Sequence, residues 1–217
     1  GHNMDLLGKA EITNNIYSIM VQTFDGKQNT LPSRLENSGK YTKAFQKVAQ
    51  QTPGMSNDVF TQLAMYWQLH LAYDEGDKPM DFYNRFFQAW KSKDWGPAES
   101  PDERFAVVAS KTAGKNLTEF FVRWGMTLSD SVKAELAKLG EESRAIWYLN
   151  DQSRRDRLNG ENAATGTISV TASVKEKDVT LTITPSITGK VQGYEIIRSG
   201  KSVDFVISDG KAPLEYV

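Results

Sequence analysis

The chain has 217 residues, of which 39% are hydrophobic, and its formal net charge is −1. This charge leaves no excess of Lys and Arg to bind phosphates, which argues against a nucleic-acid partner, and no apolar run approaches the roughly 20 residues of a membrane span. Cysteine is absent and the only histidines are His2 and His70, so any metal site must be built from His, Asp and Glu.

The sequence divides into two regions of different texture. Residues 1–158 have the periodicity of helices, whereas residues 167–217 alternate in the manner of strands. Residues 159–166 are polar and contain two glycines, which is typical of a linker. These patterns predict an α+β chain, in which a mainly helical domain precedes a small antiparallel β module.

The first predicted helix runs from Glu11 to Thr23 and has two contrasting faces. Its apolar residues recur at helical spacing: Ile12, Ile16, Ile19 and Met20. The other side carries a polar stripe at positions i, i+3, i+4 and i+7: Glu11, Asn14, Asn15 and Ser18.

The remaining helices follow from apolar spacing and capping residues. Tyr41–Gln51 is amphipathic, Val59–Tyr73 is apolar on nearly all sides and is predicted to lie at the domain centre, and Met80–Trp90 comes next. Ser100 and Glu103 form a capping box for a helix that reaches Ala113. Two further helices are predicted: Leu117–Trp124, which ends at Gly125, and a segment from a Ser129 cap to Leu139. The charged run 154–157 is interpreted as a solvated helix face.

In the second region, Thr167–Val174 alternates apolar and polar residues, and the segment around Leu181 repeats the pattern. Two further strands, Tyr194–Arg198 and Ser202–Ile207, are joined by a short Gly-containing turn that predicts a hairpin. The expected product is an antiparallel sheet with one buried face. Because about 50 residues is short for a sandwich of about 100, the module is expected to be truncated.

The candidate chemistry lies near the N-terminus, at His2 and Glu11. A Gly-His start is typical of a cloning remnant, and that interpretation stays open. Zinc peptidases of the H-E-x-x-H class use two His one helical turn apart and a Glu base, and one large group adds a Glu from the next helix. If Gly1-His2 ends such a motif, His2 and Glu11 are zinc ligands, and the first His and the Glu base precede residue 1. Asn14 and Asn15 would then orient the ligands.

That spacing resembles the enhancin-like metallopeptidases, peptidase family M-sixty, and three further segments resemble the same family in the same order: 11–18, 60–69 and 116–125. The resemblance covers roughly residues 1–150. It implies the helical C-terminal part of a zincin-type catalytic domain, whereas residues 167–217 resemble the fibronectin-like or immunoglobulin-like modules that follow such domains.

The resemblance further implies a secreted or surface-bound bacterial zinc endopeptidase that acts on O-glycosylated, mucin-type proteins. Residues 1–217 lack a complete H-E-x-x-H motif. A site with two ligands and no base is expected to bind zinc poorly, so the chain by itself is expected to be inactive.

Two side chains of the central helix are candidate oxyanion donors. His70 lies four residues after Tyr66, and either side chain would donate to a tetrahedral intermediate if it lined a cleft. Tyr73 is a further candidate. The competing interpretation of His70 is a hydrogen-bonded histidine of the core.

The alternative function is a non-catalytic module that binds glycans or proteins for a bacterial surface protein. In that case His2 is a tag remnant and Glu11 is a favourable charge at a helix N-terminus. The two hypotheses differ in geometry, because a peptidase brings the ligating atoms of His2 and Glu11 within about 4 Å of each other.

Overall fold

The computed structural model describes residues 7, 9–75, 78–161, 164–208, 210 and 212–217. The described chain is mainly helical up to residue 158 and consists of antiparallel strands after residue 164. Among the described helices, none has both the length and the apolar character required to cross a membrane.

Seven of the nine described helices lie close to where the sequence predicts them, whereas no bounds were predicted for the two at residues 34–37 and 151–158. They are α1 Ala10–Thr23, α2 Arg34–Asn37, α3 Lys40–Gln50, α4 Val59–Tyr73, α5 Asp81–Ser92, α6 Pro101–Ala113, α7 Thr118–Arg123, α8 Asp130–Leu136 and α9 Asp151–Leu158. A 3-10 turn, Ile146–Tyr148, precedes α9. Two short strands, β1 Lys115–Asn116 and β2 Gly140–Glu141, pair in parallel.

Helix α4 occupies the centre of the helical domain, as its nearly uniform apolar character predicts. Its N-terminus is capped by Asp58, whose carboxylate accepts hydrogen bonds from the backbone N–H groups of Phe60 and Thr61. Eleven of its fifteen residues are buried, so α4 contacts neighbours on every side, including α1, α3, α5 and α9. The face of α1 that packs in this core carries Ile12, Ile16 and Ile19.

Helix α6 has the predicted N-terminal capping box, in which the Ser100 side chain accepts from the Glu103 N–H and the Glu103 side chain accepts from the Ser100 N–H. The start of α8 differs from the prediction that the Ser129 side chain caps this helix. The Ser129 side chain makes no capping bond, and its backbone N–H donates to the Glu103 carboxylate at 2.8 Å. The same Glu103 therefore connects the start of α6 to the start of α8.

The glycine that follows α7 has a specific packing reason. Gly125 has φ +92°, and its carbonyl oxygen accepts a hydrogen bond from the Gly54 N–H at 2.9 Å. A Cβ atom at this position would lie 2.4 Å from the Gly54 carbonyl oxygen and 2.7 Å from that of Thr52. Only a residue without a side chain permits the loop after α3 to approach α7 this closely.

The charged run 154–157 is not the solvated face that its sequence indicates. Arg154 is 2% exposed and donates to the Asn29 carbonyl oxygen at 2.6 Å. Arg155 forms a bidentate ion pair with Glu36 of α2, and Arg157 pairs with Glu75 at 2.7 Å. The side chains of α9 therefore fasten the end of the helical region to α2 and to the end of α4.

Within the described residues, the C-terminal strands form two sheets, whereas their alternation predicts one antiparallel sheet. They are β3 Thr165–Lys175, β4 Asp178–Thr188, β5 Gly193–Arg198, β6 Lys201–Ile207 and β7 Leu214–Tyr216. Strands β3, β4 and β7 form an antiparallel sheet, and β5 and β6 form a separate hairpin. The expectation of one buried face is wrong for β3, whose residues are all exposed, including the apolar Ile168, Val170 and Val174.

The β5–β6 hairpin packs directly on the helical domain. Phe205 of β6 is 7% exposed, and its ring centroid lies 4.0 Å from that of Tyr148 and 5.2 Å from that of Phe45. Next to these rings, the Glu195 carboxylate accepts hydrogen bonds from the Tyr148 hydroxyl at 2.7 Å and from Arg123 at 2.8 Å. Residues 193–207 are thus in contact with the helical core, although they follow the predicted linker.

Candidate functional site

The candidate site is built on the solvent-facing side of α1. Glu11 lies in the first turn of this helix and is exposed, while the opposite side is held in the core by Ile12, Ile16 and Ile19. Residues spaced by three and four positions share one face of a helix. Asn15, Ser18 and Gln22 therefore continue from Glu11 along the same face over three turns.

Asn15 contacts the candidate ligand directly. Its Nδ2 group donates to the Glu11 backbone carbonyl at 2.8 Å and lies 3.4 Å from the Glu11 Oε2 atom. The sequence predicts this role for Asn15, because an amide one turn after a carboxylate is placed to orient it. Glu11 and Asn15 are therefore in contact, and the role of Asn15 in orienting a metal ligand stays a prediction.

Asn14 is oriented differently from Asn15. It is half-buried, and its Nδ2 atom is enclosed with no hydrogen-bond partner among the described residues. The structure therefore does not show the predicted contact of Asn14 with Glu11, and its orienting role stays a prediction.

His2 lies outside the described residues, so the predicted meeting of His2 and Glu11 at one metal ion stays a prediction. Within the part of the chain that the structure describes, no group of three or more His, Asp or Glu side chains is arranged to hold a metal. An exposed carboxylate with an orienting amide nevertheless fits the chemistry of a zinc ligand.

Two of the three candidate oxyanion donors, Tyr66 and His70, lie inside the helical core. Tyr66 is 1% exposed, and its ring centroid lies 4.7 Å from that of Phe105. Burial raises the pKa of the Tyr66 hydroxyl above its usual value. Since this side chain reaches no solvent-facing cleft in the described structure, its burial favours a packing role, and its catalytic role stays a prediction.

His70 has the surroundings of a core histidine. It is fully buried, its ring lies 4.3 Å from that of Trp67, and its Nδ1 atom is hydrogen-bonded to the Asp74 carboxylate. Burial lowers the pKa of His70, although the Asp74 carboxylate acts in the opposite direction. This environment favours the core interpretation, and oxyanion donation by His70 is a prediction that the geometry does not support.

Arg34 is a polar contributor to the site that the sequence reasoning missed. Its guanidinium donates to Asn15 Oδ1 at 3.2 Å and to Ser18 Oγ at 2.5 Å, and its Nε atom donates to Gln22 Oε1 at 3.2 Å. The only signal in the sequence was the repeated polar spacing of α1, which predicts a polar neighbour without identifying it.

A buried carboxylate beneath α2 was also missed. Asp151 is 5% exposed, and it accepts hydrogen bonds from Trp67 Nε1 at 2.7 Å and from the Ser33 hydroxyl at 2.5 Å. Burial raises the pKa of Asp151, an effect that the hydrogen bonds from Ser33 and Trp67 oppose. Ser33 in turn caps α2 by accepting from the Leu35 N–H. The position of Arg34 at the start of α2 is therefore fixed from the core.

Comparisons with known proteins agree on one family. The family model described as Peptidase M60, enhancin and enhancin-like, matches residues 2–125. Among solved structures, the chain is similar to the M60 catalytic domain of ZmpC from Clostridium perfringens, determined in complex with the sialyl T antigen, with 25% identity and a TM-score of 0.68. The match covers 95% of this chain and 41% of that one.

Two further structures are similar to the chain. The ZmpB metallopeptidase from Clostridium perfringens has 27% identity and a TM-score of 0.67, over 93% of this chain and 40% of that one. A functionally unknown conserved protein from Bacillus anthracis has 27% identity and a TM-score of 0.53, over 85% and 46% of the two chains. No curated protein matches the chain. The 217 residues thus span less than half the length of these three solved chains.

Proposed function

Because this chain belongs to the enhancin-like peptidase M60 family, we propose that it forms part of a zinc endopeptidase that acts on O-glycosylated, mucin-type proteins. The observation that carries the proposal is the pairing of Glu11 with Asn15 on the exposed face of α1, inside the matched range. A likeness to a domain solved with the sialyl T antigen supports a glycosylated substrate.

Bound zinc would polarise the scissile carbonyl group and lower the pKa of a coordinated water. In this proposal Glu11 and His2 supply two of the ligands, and Asn15 holds the Glu11 carboxylate in its ligating orientation. The 217 residues contain no H-E-x-x-H motif. We therefore propose that a His and the Glu base come from another segment of the encoded protein, and that residues 1–217 alone do not hydrolyse peptides.

The proposal also extends to location and architecture. A substrate on mucin-type glycoproteins requires an enzyme that is secreted or held at a bacterial cell surface. The strands after residue 166 are proposed to belong to a fibronectin-like or immunoglobulin-like module, which the antiparallel pairing of β3, β4 and β7 supports. Residues 1–158 and 167–217 stay the proposed domains, with the linker between them.

The test uses the full-length protein as encoded. We expect it to contain about one zinc ion per chain by mass spectrometry and to cleave an O-glycosylated peptide. Glu11→Gln and His2→Ala are each expected to reduce zinc affinity by at least about 100-fold, because a tetrahedral site loses one of its few ligands. Asp130→Asn is the matched control, since Asp130 is also a first-turn acid of a helix and is fully exposed.

Full zinc content and full cleavage by Glu11→Gln would refute the role of Glu11. Zinc-independent binding of glycoproteins without cleavage would instead support the non-catalytic module. Residues 1–217 are expected to show no cleavage in the same assay.

A further inference from the structure

Arg34 connects α2 to three successive turns of the polar face of α1. Its guanidinium donates to Asn15 and Ser18, and its Nε atom and backbone N–H both donate to the Gln22 side-chain oxygen, at 3.2 and 3.1 Å. All of these acceptors are neutral groups. Among the described contacts, the guanidinium thus reaches Glu11 only through the Asn15 amide.

The contact with Asn15 fixes the direction of its amide. Arginine has only donors and an ionised carboxylate has only acceptors. With Oδ1 of Asn15 accepting from Arg34, the Nδ2 group must face Glu11, where it lies 2.8 Å from the backbone oxygen and 3.4 Å from Oε2. If the Asn15 amide were flipped, its NH2 group would face the Arg34 donors and its oxygen would face the Glu11 carboxylate oxygen. The order of hydrogen bonds therefore runs in one direction, from Arg34 through Asn15 to Glu11.

Arg34 itself is held by the core. It is the first residue of α2, and the preceding Ser33 is buried and bonded to the Asp151 carboxylate at 2.5 Å. On the opposite side of α2, Glu36 is paired with Arg155 of α9 at 2.7 Å. The backbone around Arg34 is thus held by contacts with α9 in addition to the bond from its own N–H to Gln22 of α1.

We propose that Arg34 is a positioning residue for the metal-binding carboxylate, acting on Glu11 through the amide of Asn15. The inference rests on the proposed function, because it assigns Arg34 to the same zinc site. Hydrogen bonds to the outer side of metal ligands fix their orientation, and losing them typically weakens metal affinity about 10- to 100-fold.

The experiment measures the zinc dissociation constant of the full-length protein by competition with a chelator. Arg34→Ala and Asn15→Ala are each expected to weaken binding about 10- to 100-fold. The double variant is expected to be no weaker than the poorer single one, because both changes interrupt the same chain of hydrogen bonds. Arg34→Lys keeps the charge without the planar fork, so its affinity is expected to be intermediate.

Arg155→Ala is the matched control. Arg155 holds the same helix α2 through Glu36 and does not contact the Asn15 side chain. A purely structural role of Arg34, pinning α2, predicts equal losses of zinc affinity in Arg155→Ala and Arg34→Ala, and that result would overturn the inference. We expect Arg155→Ala to stay within about threefold of wild type, below the range for lost contacts to metal ligands.

The two proposals fail in distinguishable ways. Wild-type zinc affinity in Arg34→Ala, together with lost affinity in Glu11→Gln, overturns the positioning role and leaves the proposed function standing. Wild-type zinc affinity in Glu11→Gln overturns both. Thermal unfolding of the full-length protein carrying each substitution identifies any variant whose loss of zinc follows from unfolding.

Discussion

At the scale of single residues, buried polar groups at the centre of the helical domain are matched mostly by one another. Asp151 accepts from Trp67 and Ser33, and Asp74 bonds to His70 and accepts from the Phe82 N–H at 2.6 Å. A buried donor that loses its acceptor costs about 1–3 kcal/mol. The stability of the domain therefore depends on a few carboxylates that the sequence presents as ordinary charged residues.

Replacing Asp151 tests this dependence. We expect Asp151→Ala to lower the free energy of unfolding by about 3 kcal/mol, because Trp67 Nε1 and the Ser33 hydroxyl lose their acceptor. Urea unfolding followed by tryptophan fluorescence and circular dichroism measures the change. Asp130→Ala, at an exposed position, is expected to change stability by less than about 1 kcal/mol. Equal effects in the two variants would contradict the assignment.

The protonation of His70 gives a second prediction. Burial lowers its pKa, so the unfolded state binds more protons than the folded state between the folded pKa and about 6.5. The contribution of His70 to stability is therefore complete above about pH 6.5 and is lost as the pH falls toward the folded pKa. Nitrogen-15 spectra of the imidazole are expected to show a midpoint below 6.5, and a midpoint above this value would exclude the neutral core histidine.

Asp151 complicates any purely calorimetric version of that measurement. Its raised pKa means that its contribution to stability decreases as the pH rises through the interval between its unfolded and folded values. The two groups act in opposite directions wherever their intervals overlap. Direct observation of the ring is therefore the deciding measurement for His70.

At the scale of elements, the sequence predicted best where the controlling interactions are local. The α4 bounds agree with the prediction, and α6 has its capping box, because caps and apolar spacing act within a few residues. The run 154–157 was misinterpreted because its partners, Asn29, Glu36 and Glu75, are distant in sequence. The alternation of apolar and polar residues in β3 likewise predicts an apolar face, but it does not reveal whether another element covers that face.

The site follows the same division. Helical periodicity was sufficient to place Glu11 and Asn15 on one polar face. Arg34 lies 19 residues from Asn15, beyond a loop whose path places α2 beside α1, and periodicity carries no information about such a path. Helical spacing alone does not reveal which side of α4 is enclosed, so it cannot decide whether His70 lines a cleft or lies in the core.

The β5–β6 hairpin provides a prediction at this scale. Phe205→Ala is expected to lower the free energy of unfolding by about 3 kcal/mol, because it removes a buried ring packed on Tyr148 and Phe45. Ile197 in the same hairpin is 62% exposed, and Ile197→Ala is expected to cost less than about 1 kcal/mol. Denaturant unfolding, followed by the circular dichroism of the helices, tests this prediction. If the hairpin were independent of the helices, Phe205→Ala would leave their unfolding transition unchanged.

At the scale of the whole molecule, the predicted linker does not coincide with a loss of contact. The hairpin after it lies against α3 and the 3-10 turn, joined by the apolar ring cluster and by Glu195 with Arg123. The strands β3 and β4 instead form a long hairpin with exposed apolar residues. The segment after residue 166 thus contains one hairpin packed on the helices and one sheet with an exposed strand.

Cutting the chain tests this arrangement. A site-specific protease sequence inserted after Glu161 is expected to yield two pieces that elute together in size-exclusion chromatography, because Phe205 and Glu195 hold the C-terminal piece. The same cut in Phe205→Ala is expected to release that piece. Separate elution from the otherwise unmodified protein would show that the hairpin does not bind the helical domain by itself.

The close approach at Gly125 has a consequence for how this fold varies between related proteins. Two carbonyl oxygens occupy the volume in which any other amino acid would place its first carbon, and the backbone there has a positive φ. Saturation mutagenesis at this codon, scored by soluble expression, should return glycine alone. Val122, which lies three residues earlier in α7 and is 39% exposed, should accept many replacements. Two positions only three residues apart are therefore expected to differ sharply in how many amino acids they tolerate.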